Sequence, residues 1–558
     1  MAETPARSAG STSPEEPALA GPASGHPAPE RAASDRPAGT GRGRVAASVA
    51  ASVVVLAAAG ALVAGPVLIP GTAPAAGARS VAAPVAPVPA AETTAVCPGA
   101  PRLLTAGSGT DPRFSPVSAS ARTTVGAVVG STGSGVLGGT VLEPLSGERP
   151  LATLAEVPRS SSGTATGAAR AAARTGIGVT APSVLRAAPV GQTPTTAAAV
   201  LGYRADDGDL RGLAAAGCQR PGNDLWLLGA STTVGRTAIL TLHNPGTSPA
   251  TVDLDLTGTR GPITAAGSQG LLLAPGGSRS IVLAGLAPGQ SDLGVRVRSK
   301  GAPVAAVIQQ SVLRGLTPGG IEYLTPAQGP ALTRTVPGVL IESPAASAAL
   351  RRAAPDTVPV LQIAVAGDGD ATVRVQAHGP SGQVALGSAG VVRARGGAVT
   401  TVPLQALPAG VWGITVQSDV AVTAGVRTVR GTAVRRPVDI AQAGATARLG
   451  QDAVLPVVPV GTARLALTAP AGDATVTIRP VGTDGRLGTA RTVRVGAGRS
   501  VLTDPRQGAP GAAAVVLQSG GGAVYAAQVT TSGTSGIAIA AVPEPDEAVR
   551  QIPLRLGP

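Results

Sequence analysis

Only six aromatic side chains, Phe114, Tyr203, Trp226, Tyr323, Trp412 and Tyr525, serve a chain of 558 residues. Its cores must be built from Val, Leu, Ile and Ala, and small and β-branched residues suit a two-sheet sandwich better than a large ligand cavity. The same scarcity argues against a sugar-binding platform, which needs several aromatics on one face. It also argues against nucleic-acid binding, where aromatics interleave with basic residues. Lysine is almost missing, with Lys300 the one copy. Ala, Gly, Pro, Val and Arg dominate, as in high-GC bacterial coding, so the arginine excess reflects composition rather than guanidinium chemistry. Histidine occurs at His26, His243 and His378, and cysteine at Cys97 and Cys218. With no Cys-x-x-Cys, no His-Glu-x-x-His and no histidine near either cysteine, nothing points to zinc. There is no Gly-x-Ser-x-Gly elbow: Gly130-Ser-Thr-Gly-Ser-Gly135 has the wrong spacing, and no Gly-rich stretch ends in Lys-Ser/Thr. No catalytic, cofactor-binding or metal-ligating residue is assigned, and the expectation is a protein that is not an enzyme.

Charge is unevenly placed. The net charge is +13, yet residues 1–44 hold five arginines against five acids, so the whole excess lies beyond them. A basic surface can attract anionic wall polymers, lipid headgroups or nucleic acid, although scattered solvated arginines give the same total. One long uncharged run occurs, the 25 residues from Val45 to Ile69. As a helix it would reach roughly 37 Å, enough for a ~30 Å hydrocarbon core. Arg42 and Arg44 precede the run and no basic residue follows until Arg79. The positive-inside bias therefore places the N-terminus in the cytoplasm and everything after Ile69 outside, away from nucleic acid. The alternative is secretion after cleavage near Ala78. Against it, the leading segment is long and the apolar run exceeds the ~7–15 residues of a signal peptide. In an oxidising compartment Cys97 and Cys218 are expected to form a disulfide, with free thiols or a metal site as weaker alternatives.

The organisation read from composition begins with a disordered cytoplasmic tail at 1–44, a transmembrane helix at 45–69 and a Pro/Ala-rich stalk at 70–96. Residues 97–225 form an irregular β-rich region. Strands are expected at Val125–Val129 and Gly138–Leu142, a mobile loop from Ser160 to Arg174, and a short helix at Leu210–Ala216. The remainder is repetitive. Ala250-Thr-Val, Ala371-Thr-Val and Ala474-Thr-Val each follow a strand-like run and a turn, and precede a Gly-containing turn at Gly276-Gly277, Gly396-Gly397 and Gly498. Val295-Arg-Val-Arg-Ser299, Ile414-Thr-Val-Gln-Ser418 and Val515-Val-Leu-Gln-Ser519 come next, each serine 45 to 49 residues after its alanine. Short strands separated by Pro-Gly or Gly-Gly breaks predict three β-sandwich repeats, at 226–330, 331–445 and 446–545, ahead of a C-terminal tail at 546–558. The fold class is therefore mainly β: tandem immunoglobulin-like antiparallel sandwich modules after one N-terminal transmembrane helix. Helical spacing is scarce beyond the anchor, with a turn or two at Ala346–Ala353.

Repetition also disposes of tempting sites. Asp368-Gly-Asp370 and Asp206-Asp207-Gly-Asp209 offer hard oxygens, but neither supplies the further ligands and closing Glu of a calcium loop. The first occupies the place of Gly246-Thr-Ser-Pro249 and Gly472-Asp473 in the other repeats and reads as a hairpin turn. His243 and His378 end non-equivalent strands, and Trp412 and Tyr525 read as packing residues.

The run Gly208-Asp-Leu-Arg-Gly-Leu-Ala-Ala-Ala-Gly-Cys218, then Pro221, Asp224-Leu-Trp226 and Leu240-Thr-Leu-His-Asn-Pro-Gly246 before Ala250-Thr-Val252, carries a family resemblance. It resembles an actinobacterial family of membrane-anchored or secreted envelope proteins catalogued as domain of unknown function five-seven-one-nine. The likeness covers roughly 97–540, with its sharp motif at 208–252. Many such proteins have paired glycines near 230, where this chain has Leu228-Gly-Ala-Ser231. The resemblance implies an envelope location and no activity. The expected role is a non-enzymatic, single-pass structural or adaptor protein contacting other envelope proteins or anionic wall polymers. Alternatives are an accessory subunit of a membrane glycan-synthesis or export machine, and an envelope hydrolase or transferase with a site in 97–225. That last reading calls for a cleft gathering Asp207, Asp209, Arg211 and a histidine.

Overall fold

Strands that alternate inward apolar and outward polar residues build most of the protein. In Ala250–Gly258, for example, Ala250, Val252, Leu254 and Leu256 are buried while the residues between them are half-exposed. The computed structural model describes residues 90–103, 117–131, 135–157, 169–386 and 390–544, with the backbone of 85–87 and 551–553. The expected tail, the anchor at 45–69, most of the stalk, His26 and Phe114 lie outside the described residues. Among the described residues no helix is long and apolar enough to cross a membrane.

A backbone ribbon begins the described chain with β1 (Val85–Pro87). The first module then contains β2 (Thr93–Cys97), β3 (Arg122–Ser131), β4 (Thr140–Pro144), β5 (Ala152–Ala155), β6 (Arg170–Gly178), β7 (Ser183–Ala187), β8 (Thr196–Ala205) and β9 (Gly212–Gly217). They form two sheets, β2-β7-β4-β5 and β6-β3-β8-β9. The second module comprises β10 (Asp224–Ala230), β11 (Arg236–His243), β12 (Ala250–Gly258), β13 (Gly261–Ile263), β14 (Leu271–Leu273), β15 (Ser278–Val282), β16 (Leu293–Gly301), β17 (Ala305–Arg314) and β18 (Thr317–Leu324). Its sheets, β10-β16-β12 with β13 and β14 beside β12, and β15-β11-β17-β18, repeat the same order.

The third module runs through β19 (Ala331–Ile341), α1 (Pro344–Ala353), β20 (Val360–Val365), β21 (Ala371–Gly379), β22 (Gly382–Ala385), β23 (Val391–Ala394), β24 (Val399–Pro403), β25 (Gly410–Arg430) and β26 (Asp439–Gly444). Here the sixth and seventh strands are fused. The first part of β25 pairs with β19 and β21, and its second part pairs with β20 and β26. The fourth module holds β27 (Ala453–Pro456), β28 (Thr462–Ala469), β29 (Ala474–Val481), β30 (Arg491–Val495), β31 (Arg499–Thr503), β32 (Ala514–Gly521), β33 (Tyr525–Ser532) and β34 (Gly536–Ala541). Its sheets are β27-β32-β29-β30 and β31-β28-β33-β34, and the chain closes with β35 (Gln551–Pro553) antiparallel to β1.

All four modules thus share one topology. Their third–sixth and second–fifth strand pairs match the inner pairs of an immunoglobulin sandwich, but the first and seventh strands have exchanged sheets relative to that order. Residues 97–225, expected to be irregular, are most of a regular sandwich that starts at Thr93, inside the expected stalk. The stretch read as a helix at Leu210–Ala216 is mainly strand β9. Leu213, Ala214, Ala215 and Ala216 are all buried because both faces of this strand are covered, which removes the alternation that would have identified it. The expected loop from Ser160 gives way at Arg170 to β6. The helical turns near Ala346 belong to α1, where Ser343 accepts the Ala346 N–H as N-cap.

The modules also pack on one another. Val128 and Ala198 of the first meet Val454 and Val516 of the fourth, and Val312 of the second meets Leu350 and Val429 of the third. Each fully buried Val or Leu of this kind contributes about 1.5–3 kcal/mol. The last strands β9, β18, β26 and β34, each the edge of its sheet, lie side by side in cyclic order, so the four modules close into a ring.

Candidate functional site

An edge strand presents a row of unpaired N–H and C=O groups that must find partners. Around the axis of the ring two carboxylates meet this need. Glu322, in the middle of β18, accepts N–H bonds from Ala215 of β9 at 3.2 Å, Ile539 of β34 at 3.2 Å and its neighbour Tyr323 at 2.9 Å. Asp439, at the start of β26, accepts from Leu213 at 2.8 Å, Ile321 at 3.1 Å, Ile537 at 3.2 Å and Ile440 at 3.0 Å. Two side chains therefore bond backbone from all four modules. Burial pushes Asp439 up to about 8 despite its N–H donors, and pushes Glu322 well above the carboxylate range, with Asp439 adding to the effect.

Glycine makes room for this arrangement. At Gly320 φ is +113°, and a Cβ would stand 2.5 Å from Asp439 Oδ1 and 2.6 Å from the Ile440 nitrogen. Gly320→Ala is expected to cost about 2 kcal/mol or more, through overpacking and a strained backbone, in a urea titration of the full chain. An unchanged midpoint would refute the close approach.

Two pockets open at the ends of the axis. One, of about 280 Å³, lies where the chain passes between modules and is lined by Gln219, Asp224, Gln328, Thr446 and Glu544 among others. The other, of about 190 Å³, gathers Arg204, Asp206, Arg211, Asp439 and the Ser532–Gly536 turn. Arg211 is thus in a pocket, but Asp207 is bonded to Ser120, and neither His243 nor His378 lines it. No group of three or more His, Cys, Asp or Glu among the described residues could hold a metal ion.

The other sequence landmarks have local roles. Cys97, at the end of β2, and Cys218, just past β9, are joined by a disulfide that ties the two sheets of the first module. Asp370 does not close a hairpin. The segment before it crosses from one sheet to the other, and Asp370 accepts the Gly396 N–H at 3.0 Å, as Asp473 accepts that of Ala497 at 2.8 Å. Asn244 holds the equivalent crossover in the second module by accepting from Gly246 and donating to Ser248 and Leu273. Asp224 takes a two-pronged bond from Arg296, whose guanidinium lies 4.9 Å from the centre of the Trp226 ring. His243 Nδ1 is 2.7 Å from Ser278 Oγ, and burial pushes this imidazole down to about 4, so it is neutral at physiological pH. His378 is fully buried beside Thr415, and Trp412 is buried with its Nε1 donating to Pro408. Tyr525 opens β33, half-buried, opposite Thr468.

Sequence reasoning missed Glu322 and Asp439. The available signal was a lone acid inside an apolar strand, as in Gly320-Ile-Glu-Tyr-Leu324 and Val438-Asp-Ile-Ala441.

Comparison with other proteins gives little beyond this. No curated protein matches the chain. A biofilm-associated protein described as a BSP domain aligns over 85% of this chain and 100% of its own, at 9% identity and a TM-score of 0.12, a likeness too weak to support any argument. The model of a family of unknown function, DUF5719, matches residues 173–506, more than half of the chain, and the protein belongs to that family.

Proposed function

We propose that this is a non-enzymatic structural or adaptor protein of the bacterial cell envelope, anchored through residues 45–69 with its four modules outside the membrane. The observation that carries the reading is the Cys97–Cys218 disulfide, because such bonds persist in oxidising compartments. Ring closure supports the structural part: four sandwiches that seal one another's edges make a stiff platform whose outer faces remain for partners. The excess of arginine beyond residue 44 suits anionic wall polymers or acidic patches on other envelope proteins.

Retention of the purified full chain on cell-wall material tests the electrostatic part. Binding at ~0.1 M salt should be lost near ~1 M, where the screening length falls from about 10 Å to about 3 Å. Retention that ignores salt, or none at all, would remove the wall-polymer contact. Intact-mass measurement of the membrane-extracted protein addresses the anchor. Full-length mass supports it, whereas a mature N-terminus near Arg79 would replace anchoring with secretion.

A further inference from the structure

At the end of the second and third modules that carries the β17–β18 and β25–β26 turns, several segments are held side by side. Arg236, beginning β11, and Arg314, ending β17, both donate to Oδ2 of Asp356, just past α1. Beneath them Val312 of β17, Leu350 of α1 and Val438, which closes the β25–β26 loop, share one apolar cluster, with Val434 of that loop packed against it. Val234 and Leu316 stand at the tips. Val234 precedes Gly235, whose carbonyl accepts the Leu313 N–H at 2.7 Å, and Leu316 lies in the two-residue turn from β17 to β18. Both are fully exposed, at 105% and 99%.

A lone exposed aliphatic residue needs no explanation, but two fully exposed ones on adjoining tips mark a contact. Their surroundings are cationic. Arg351 and Arg352 end α1, and Arg435 and Arg436 lie on the β25–β26 loop. All but the half-buried Arg351 are exposed, and among the described residues none of the four forms an ion pair. Segments 234–236, 314–316, 342–356 and 430–438 hold seven arginines against two acids, Glu342 and Asp356. Both acids are already paired with arginine. The patch stops at the first module, whose acidic hairpin brings Asp206 to the same pocket as Pro437.

Aliphatic tips flanked by unpaired cations match the boundary between phosphate headgroups and acyl chains. The arginines meet the headgroups while the tips enter the apolar layer beneath. An anionic polymer would satisfy the arginines but leave Val234 and Leu316 in water. We propose that this end of the second and third modules docks on an anionic lipid surface, with Val234 and Leu316 inserted. The docking goes beyond the adaptor reading. Its test reads lipid contact at one residue rather than retention on wall material, so either can fail alone.

A tryptophan at the tip reports insertion. The full chain carrying Leu316→Trp is placed in vesicles of brominated phosphatidylcholine, with or without phosphatidylglycerol, and the native chain supplies the background from Trp226 and Trp412. The added emission should be quenched only where phosphatidylglycerol is present. A cation near such a surface is worth about fivefold in partition, so Arg435→Gln with Arg436→Gln in the same background should lower the docked-to-free ratio about 30-fold. All three positions are exposed, and an unchanged melting temperature checks that the variants fold. Equal quenching in both vesicle types, quenching in neither, or quenching unaltered by the arginine changes would each overturn the proposal. Loss of wall retention in the arginine variant, with no quenching in any vesicle, would assign the patch to a polymer instead.

Discussion

Asp439→Ala should lower the unfolding free energy of the full chain by on the order of 4 kcal/mol or more in a urea titration. The substitution strands the N–H groups of Leu213, Ile321, Ile537 and Ile440, and a buried donor without a partner costs about 1–3 kcal/mol. Asp439→Asn should fall between: its oxygen can serve Ile321 and Ile440, while its NH₂ confronts Leu213 and Ile537. Amide exchange should quicken first at Leu213, Ile321, Ile440 and Ile537, one from each of the four modules. The same carboxyl gives stability a pH dependence. Its folded pKa of about 8 stands above the ordinary 3.8, so its stabilising contribution is full below about pH 3.8 and is lost as pH rises through 8. Stability should decline between pH 5 and 9 in the native chain and decline less in Asp439→Asn. Coincident pH profiles, or an Ala variant as stable as the native chain, would refute the capping role.

Removing the disulfide should have an effect of similar size. Cys97 and Cys218 are 121 residues apart, and the loop-closure model assigns such a cross-link about 4–5 kcal/mol through the unfolded state. The double substitution Cys97→Ser with Cys218→Ser avoids a lone thiol. Its urea midpoint should sit well below that of the native chain under non-reducing conditions. Reductant during unfolding should shift the native curve onto the variant's and leave the variant unmoved. Overlapping native curves with and without reductant would show that the bond adds nothing. Cys218 is on the continuation of β9, which also carries Leu213 and Ala215, so combining this change with Asp439→Ala should give a non-additive loss.

Much of the architecture was legible because it recurs. The Ala-Thr-Val and serine landmarks are cross-strand partners: Val252 faces Ser299, Val373 faces Ser418 and Val476 faces Ser519. Their near-constant spacing is the register of the third–sixth strand ladder, and the glycine turns are the bends that dock beside each crossover. The first module keeps that register, with Thr140 opposite Ala187 at the same sequence interval as Val252 and Ser299. It was hidden because none of the residue types at these places is shared. The axial carboxylates were illegible for another reason. A single acid in an apolar strand carries no spacing to read, and what it binds is backbone contributed by strands up to 226 residues away.

Closure of the ring has a consequence for the order of folding. The strand that completes the surroundings of the first module is β34, which follows every other strand of the four modules in the sequence, and its Ile537 and Ile539 amides are the ones that finish the bonding of Asp439 and Glu322. Contacts this distant in sequence form late and slowly. Until they form, β9 and β18 are naked edges, open to pairing with another chain. A growing chain must therefore be kept apart from its neighbours until β34 has arrived, and a chain cut before β34 should not yield a smaller stable protein but an adhesive one.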